Sequence, residues 1–491
     1  MRIKIILIIT ILAISSLLPL LSEANVSVHA FTYNGQKFVA RQLKNHVDVF
    51  KALEITDMEL VTPHDPIPFN VDMVNAEETD DGEGIYVAVL DTGLLSNYLT
   101  YFPESMVNIK EEWGIGFTHD VFYVGEGGNF SEDGLFSYGP LRSDRGFLTH
   151  DEGNPDANGF GWGSGHGTHV TSIITGFFFS RLGEDYWVKG VAPKVTIIPV
   201  LVLDDWVVFD PDGNGYFYSG GTDEMVAAGI RYVGDLAAEY GVKIVINMSL
   251  GGPSPTKIIE EAIDYAISNG VIVVASAGNN GEEGMEWPGA YSQVISTAAA
   301  GWTQEYGGGY YNYYWWWNDV PEKLNTKNKV YDPNTEKMYM NNWHVYLTDF
   351  SGRPNSDLGQ TWRVLDVSAP GAAIRGPYKP EGPYAESFYA VWGTSQAAPH
   401  VSAIAALILE RYPWFNQKDV EYILDRAASS VPMKGGRAYV SDVFSGFEVV
   451  TYTWKGRDAG YGFLTLDKAM RVALVYARAN PQPVMGPLTV K

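Results

Sequence analysis

Val391-Trp392-Gly393-Thr394-Ser395-Gln396-Ala397-Ala398-Pro399-His400 is the stretch on which the fold reading turns. A tight Gly-Thr leads into a serine, and the apolar, alanine-rich run from Val401 to Leu409 then reads as a buried helix. Ser395 would stand at that helix's N-terminus, where backbone N–H groups and the helix dipole favour a developing negative charge. Taken alone, such a serine is either a helix cap or a nucleophile.

Two further segments bear on the choice. Val87-Ala88-Val89-Leu90-Asp91-Thr92-Gly93 is an apolar β-rich run ending in an aspartate. Gly163-Ser164-Gly165-His166-Gly167-Thr168-His169-Val170 is a Gly-rich turn opening another apolar helix. They supply Asp91, His166 and Ser395 in that order. Serine hydrolysis needs a hydroxyl to attack, an imidazole to take its proton and a carboxylate to orient the imidazole. In these three blocks, and in their order, the chain resembles the subtilisin-like serine proteases, the subtilases. The resemblance runs from about Val71 to about Met470.

The resemblance implies an α/β, subtilisin-like three-layer fold with a mostly parallel central sheet and helices on both faces. The chain's own patterning points the same way. Ile85–Leu90, Val195–Leu203, Lys243–Met248 and Val271–Ala275 are Val- and Ile-rich, as strands buried on both faces are. Thr222–Tyr240 and Thr256–Asn269 lie between them with apolar residues at helical spacing. That alternation argues for a parallel sheet covered on both sides, with the active site beyond the carboxyl ends of its strands.

The resemblance assigns roles residue by residue. Ser395 is the nucleophile, His166 the general base and then general acid, and Asp91 the group that orients His166. Asn279, in Ala277-Gly278-Asn279-Asn280-Gly281, matches the family's oxyanion-binding asparagine, with Asn280 the alternative if the register is off by one. Ser249-Leu250-Gly251-Gly252 resembles the substrate-binding edge, where open backbone groups let a peptide add as a strand. Ser276-Ala277-Gly278 would face it as a wall of the specificity pocket. Both stretches also fit ordinary turns. Trp287-Pro288-Gly289-Ala290-Tyr291 looks like the segment closing that pocket. Glu286 just before it either points at the substrate side chain and tolerates basic residues there, or is a solvated surface glutamate. The family usually has methionine after the serine, whereas this chain has Gln396, which leaves the fold acceptable and the activity level open.

Asp210-Pro211-Asp212-Gly213-Asn214-Gly215 offers oxygen ligands at alternate positions before a glycine, as calcium loops do. Position twelve is Gly221, so Asp223 or Glu224 would have to replace the missing acid. Calcium at Asp210, Asp212 and Asn214 and a plain polar turn are the two readings. The resemblance implies no organic cofactor.

Bulk properties limit the alternatives. The chain has 491 residues and a formal net charge of −24, a surface that repels nucleic-acid phosphates. It has no cysteine, so disulfides, a thiol nucleophile and a Cys-based zinc site are excluded. Arg2 and Lys4 precede an apolar run, Ile5 to Leu21, and Ser22-Glu23-Ala24 offers a small-x-small cleavage site. Residues 1–24 therefore read as a secretory signal peptide and the product as secreted. An uncleaved N-terminal membrane anchor is the alternative. Residues 25–68, closed by Pro66-Ile67-Pro68, are a short pro-segment or an N-terminal extension. A catalytic domain over 69–480 follows, with insertions near 101–160 and 301–348, then a tail at 481–491. The second insertion holds Tyr310, Tyr311, Tyr313, Tyr314 and Trp315-Trp316-Trp317. It is either a contact surface or a small satellite core. The expectation is a monomer acting on protein or peptide substrates.

Two rival functions remain. A metal-dependent hydrolase would use His166 and His169, but Gly167-Thr168 carries no glutamate base between them. A silent binding module would keep the fold without the chemistry. Nothing in the motifs favours it except Gln396.

Overall fold

The computed structural model describes residues 29–33, 36–40, 50–51, 67–76, 81–124, 135–149, 165–181, 184–209, 215–302, 345–379, 387–440 and 449–482. The proposed signal peptide, the acidic loop with Asp210, Asp212 and Asn214, and the aromatic run 310–317 lie outside them.

A ten-stranded sheet forms the middle layer. Its strands are β1 (Tyr86–Asp91), β2 (Asn108–Ile109), β3 (Ile115–Val124), β4 (Leu135–Arg145), β5 (Thr196–Leu201), β6 (Ile244–Met248), β7 (Ile272–Ser276), β8 (Ile295–Trp302), β9 (Val345–Leu347) and β10 (Val367–Pro370). They run in the order β9-β8-β7-β6-β1-β5-β3-β4, with β10 also on β8 and β2 also on β5. All pairings are parallel except β8 with β9 and β3 with β4. The chain starts in the middle at β1, adds β5 on one side, then crosses back to add β6, β7 and β8 on the other. That reversal opens a crevice at the carboxyl end of β1, where α/β sheets place their ligands.

Side-chain alternation explains the layers. Val87 and Val89 enter one core while Ala88 and Leu90 enter the other. Ile272 and Val274 part from Val273 and Ala275 in the same way. With a period of two, a strand made wholly of apolar residues feeds both faces. One face is covered by α3 (Asp223–Tyr240) and α4 (Lys257–Ser268), through Met225, Ile230, Ile259 and Ile263. The other is covered by α2 (His166–Thr175), α5 (Thr394–Arg411), α6 (Gln417–Ala428) and α7 (Leu466–Ala479). The fold is therefore the three-layer α/β arrangement with a mostly parallel sheet. Helix ends follow local chemistry. Thr222 caps α3 by accepting from Met225 N at 3.2 Å, and Gly241 ends it in the left-handed region.

The insertion boundaries differ from the sequence reading. Tyr101, Phe102, Val107 and Phe117 are buried, and β3 pairs with β5. The first part of 101–160 thus extends the central sheet. Its Gly- and aromatic-rich composition hides the strand, because it lacks a clean period. The second insertion is narrower too: Trp302 ends β8 and is buried, and Val345–Leu347 forms an edge strand on it.

A short helix, α1 (Phe69–Met73), is embedded in the same core through Phe69, Val71 and Met73. Its Asn70 Nδ2 donates to His400 Nε2 at 3.0 Å, while His400 Nδ1 donates to Gln396 O at 2.8 Å. Both bonds suit a neutral ring, and complete burial pulls the His400 pKa down to about 3 from 6.5. Because the folded value is depressed, this contribution is complete above the unfolded value and is lost as pH falls from 6.5 toward 3. Urea unfolding at pH 5 should yield about 2 kcal/mol less from this group than at pH 7. His400→Gln should flatten that slope. An unchanged slope in the variant refutes the assignment.

Candidate active site

Asp91 ends a central strand and Asn279 lies just past another, while His166 and Ser395 each stand in the first turn of a helix. Asp91 is the last residue of β1. Its Oδ1 accepts from Thr92 N at 2.7 Å and from His166 Nδ1 at 2.8 Å. His166 is the first residue of α2. Asp91 and His166 are both almost wholly buried. Gly167 lets α2 approach β1: a Cβ there would lie 2.3 Å from Gly93 O. Gly167 N also donates to Thr92 Oγ1 at 3.0 Å, tying the two motifs together.

Ser395 is the second residue of α5, after Gly393 as N-cap. Pro399 lies inside this helix. A proline has no N–H for the carbonyl four residues back, and here that carbonyl belongs to Ser395. Ser249 Oγ donates to it instead, at 2.7 Å. Asn247 Nδ2 donates to Ser249 Oγ at 3.0 Å, and Ser402 Oγ donates to Asn247 Oδ1 at 2.8 Å. The chain of bonds clamps the start of α5 to the end of β6. Since Met248 is in register with Leu90 on β1, the next residues, Ser249 and Asp91, leave the sheet side by side. Ser395 Oγ donates to Ser249 O at 3.2 Å.

Asn279 follows β7. Its Oδ1 accepts from Thr394 N at 2.9 Å and Thr394 Oγ1 at 3.0 Å. Its Nδ2 is buried and has no hydrogen-bond partner among the described residues. That donor lies 3.8 Å from where a Cβ on Gly393 would be, two residues before Ser395. Asn280 turns elsewhere and donates from Nδ2 to Glu286 Oε1 at 2.7 Å. The geometry thus separates the two asparagines that the sequence left as alternatives.

Glu286 is 2% exposed, so it is not a solvated surface residue. Glu286 N donates to Ala277 O at 2.9 Å, and Trp287 and Gly252 exchange backbone bonds of 3.0 and 2.7 Å. Ser249–Gly252 and Ser276–Gly278 are thereby held as two edges joined by 286–287. Leu203, Val226, Leu250, Ile259 and Trp287 line a groove beside the first edge. Ser249 and Ser276 spend their hydroxyls internally, Ser276 Oγ donating to Leu250 O at 3.1 Å.

His169 lies one turn beyond His166 and is engaged elsewhere, its Nε2 donating to Ile374 O at 3.1 Å. The structure does not bring the two histidines to one ligand point. Among the described residues, Asp366, Glu421 and Asp425 place carboxylate oxygens within 4.8 Å of one another. Burial first, then Glu421's charge, raises the Asp366 pKa. Burial first, then Asp366 and Glu421, raises that of Asp425. Such a cluster is chemically suited to a hard cation or to a shared proton. The sequence reading missed it, together with Thr394, Asn247 and Ser402. Only Pro399 left a visible signal, a proline inside a helical run.

A model of the subtilase family matches residues 82–462. Subtilisin from Bacillus sp. (strain TA39) is 28% identical over 402 residues, covering 79% of this chain and 69% of its own. Subtilisin DY from Bacillus licheniformis is 28% identical over 273 residues, covering 55% and 72%. The solved structure of Sphericase superposes with a TM-score of 0.50 at 23% identity, covering 82% of this chain and 98% of that one, and so shares the fold. With the family match spanning most of its length, the chain belongs to the subtilase family of serine peptidases, hydrolases that act on the peptide bonds of protein or peptide substrates.

Proposed function

We propose that the protein is a secreted endopeptidase that cleaves peptide bonds through Asp91, His166 and Ser395, with Asn279 stabilising the oxyanion. The observation that supports the reading is the 2.8 Å bond from His166 Nδ1 to Asp91 Oδ1, together with Ser395 in the first turn of its helix and an Asn279 amide that has no partner among the described residues. With Nδ1–H given to Asp91, the Nε2 lone pair is the base. Ser395 Oγ attacks the carbonyl carbon as Nε2 takes its proton. The new oxyanion accepts from Asn279 Nδ2 and from Ser395 N. The intermediate collapses, His166 returns the proton to the leaving amine, and Ser395 is left acylated. Water, activated by the same imidazole, then releases the acid and restores the serine. The substrate backbone lies as an added strand beside Ser249–Gly252, with Ser276–Gly278 as the facing wall of the specificity pocket.

A serine-directed sulfonyl fluoride should abolish casein hydrolysis and add its mass to the peptide holding Ser395. Hydrolysis that survives stoichiometric labelling there, or loss of activity with no adduct, counts against this mechanism.

Calcium at Asp210, Asp212 and Asn214 is proposed as a stabilising ion. Alternating oxygen donors before a glycine are its support, and in a chain without disulfides a bound ion adds stability by mass action. Calcium should raise the thermal midpoint of wild type and leave Asp212→Ala unmoved. Equal responses in both exclude that loop. Export rests on residues 1–24. Among the described residues no helix is long and apolar enough to cross a membrane.

A further inference from the structure

We propose that Gln396 is a further catalytic residue, whose carboxamide gives the oxyanion a third hydrogen-bond donor beside Asn279 Nδ2 and Ser395 N. The inference rests on the peptidase reading above and deepens it.

The three groups surround one point. A Cβ built on Gly393 would lie 2.7 Å from Gln396 Oε1, 3.6 Å from Ser395 N and 3.8 Å from Asn279 Nδ2. The tip of the Gln396 side chain therefore stands in the same small space as both groups assigned to the oxyanion. Its backbone is fixed, N donating to Gly393 O at 3.1 Å and O accepting from His400 Nδ1 at 2.8 Å. Its carboxamide is not fixed. The residue is 1% exposed, and Nε2 is buried with no hydrogen-bond partner among the described residues. A buried donor left in that state carries the cost of its lost hydration.

The torsion that orients a glutamine amide is broad and roughly two-fold. Half a turn about it exchanges Oε1 and Nε2, and Nε2 breaks no bond to a described residue in leaving its place. The turn puts an N–H on the side of Gly393 where the oxygen now faces. A neutral substrate carbonyl gives the amide little reason to turn. As that carbonyl oxygen becomes an oxyanion, it repels Oε1 and attracts Nε2–H. The bond is then made in the transition state and not before, so it raises kcat and leaves KM alone. Methionine, the family's usual residue at this position, has a similar length and no donor.

The test compares wild type with Gln396→Met and Gln396→Glu, as full-length protein, on one peptide p-nitroanilide. Labelling with a sulfonyl fluoride counts competent serines, so each rate refers to folded protein. Gln396→Met should lower kcat about ten- to a hundredfold, the range of a hydrogen bond to a charged group, with KM nearly unchanged. Gln396→Glu, nearly isosteric, should lose more, because a carboxylate repels the oxyanion. A peptide aldehyde, whose adduct with Ser395 carries the same oxygen, should lose affinity for Gln396→Met by the factor lost in kcat/KM. The matching peptide alcohol, which forms no adduct, should bind as before. A merely structural role would weaken both ligands together, and that result overturns the proposal. So does a Gln396→Met variant that turns over as fast as wild type or faster. Should the methionine variant not fold, Gln396→Glu decides alone, and undiminished turnover in it overturns the proposal. Wild-type protein that cleaves neither casein nor the anilide overturns the peptidase reading, and this inference with it.

Discussion

Replacing Ser395 with alanine is expected to lower kcat by about 10⁶, and replacing His166 should cost about as much, a scale set by measurements on subtilisin itself. The near-equality follows from the geometry. His166 Nδ1 is committed to Asp91 Oδ1 at 2.8 Å, so on the proposed mechanism the ring acts through Nε2 on the Ser395 proton. Without the hydroxyl there is nothing to deprotonate, and without the ring the hydroxyl stays protonated. The double variant should therefore be hardly worse than either single one. Asp91→Asn should cost less, about 10⁴ in kcat, since it reverses the hydrogen bond and selects the wrong tautomer. KM should change little in each case, because substrate backbone pairing lies along separate edges. Steady-state kinetics on one peptide anilide measures all four. Strictly additive losses in the Ser395/His166 double variant would refute a shared catalytic unit.

Asn279→Ala should lower kcat by about 10²–10³, again a range for which subtilisin is the measured case. The expectation rests on the split use of the carboxamide. Oδ1 is held by Thr394 N and Oγ1 at 2.9 and 3.0 Å, which fixes the plane of the group. Nδ2 is left buried with no partner among the described residues. A buried donor without a partner costs about 1–3 kcal/mol in the resting protein, so its retention makes sense where an oxyanion will accept from it. The alanine also deprives Thr394 N and Oγ1 of their buried acceptor, so the variant should unfold at a somewhat lower urea concentration as well as turn over far more slowly. Asn280→Ala should leave this rate loss unmatched, since its amide faces Glu286. Comparable kcat losses in the two variants would show that the oxyanion donor has been misplaced.

Much of this molecule was readable before any coordinates. The four Val- and Ile-rich runs became β1, β5, β6 and β7 within a residue or two, because burial on both faces demands uninterrupted apolar residues. The helices after Thr222 and Thr256 were equally plain from their spacing and end residues. Asp91, His166, Ser395 and Asn279 were named from short blocks whose glycines permit close backbone approach. Other features carried no local sign. Strand β3 was hidden because aromatic, glycine-rich sequence has no clear period. The bonds from Ser249 to Ser395 and from Ser402 to Asn247 link residues over 140 positions apart, and no pattern within a window can announce them. Glu286 looked the same in sequence whether solvated or buried.

The sequence by itself therefore determined the layers, the strand order's raw material and the motifs that carry the proposed reactive groups. Each of these depends on interactions within a turn or a strand, or on the chemistry of one side chain. Only the tertiary structure decided that Asn279 bonds to Thr394 while Asn280 bonds to Glu286, that Ser249 replaces the N–H that Pro399 lacks, and that Glu286 stands between Gly251 and Gly278. Those outcomes depend on atoms from distant segments meeting within about 3 Å, the range of a hydrogen bond. Such distances are set by how the whole core packs rather than by neighbours along the chain.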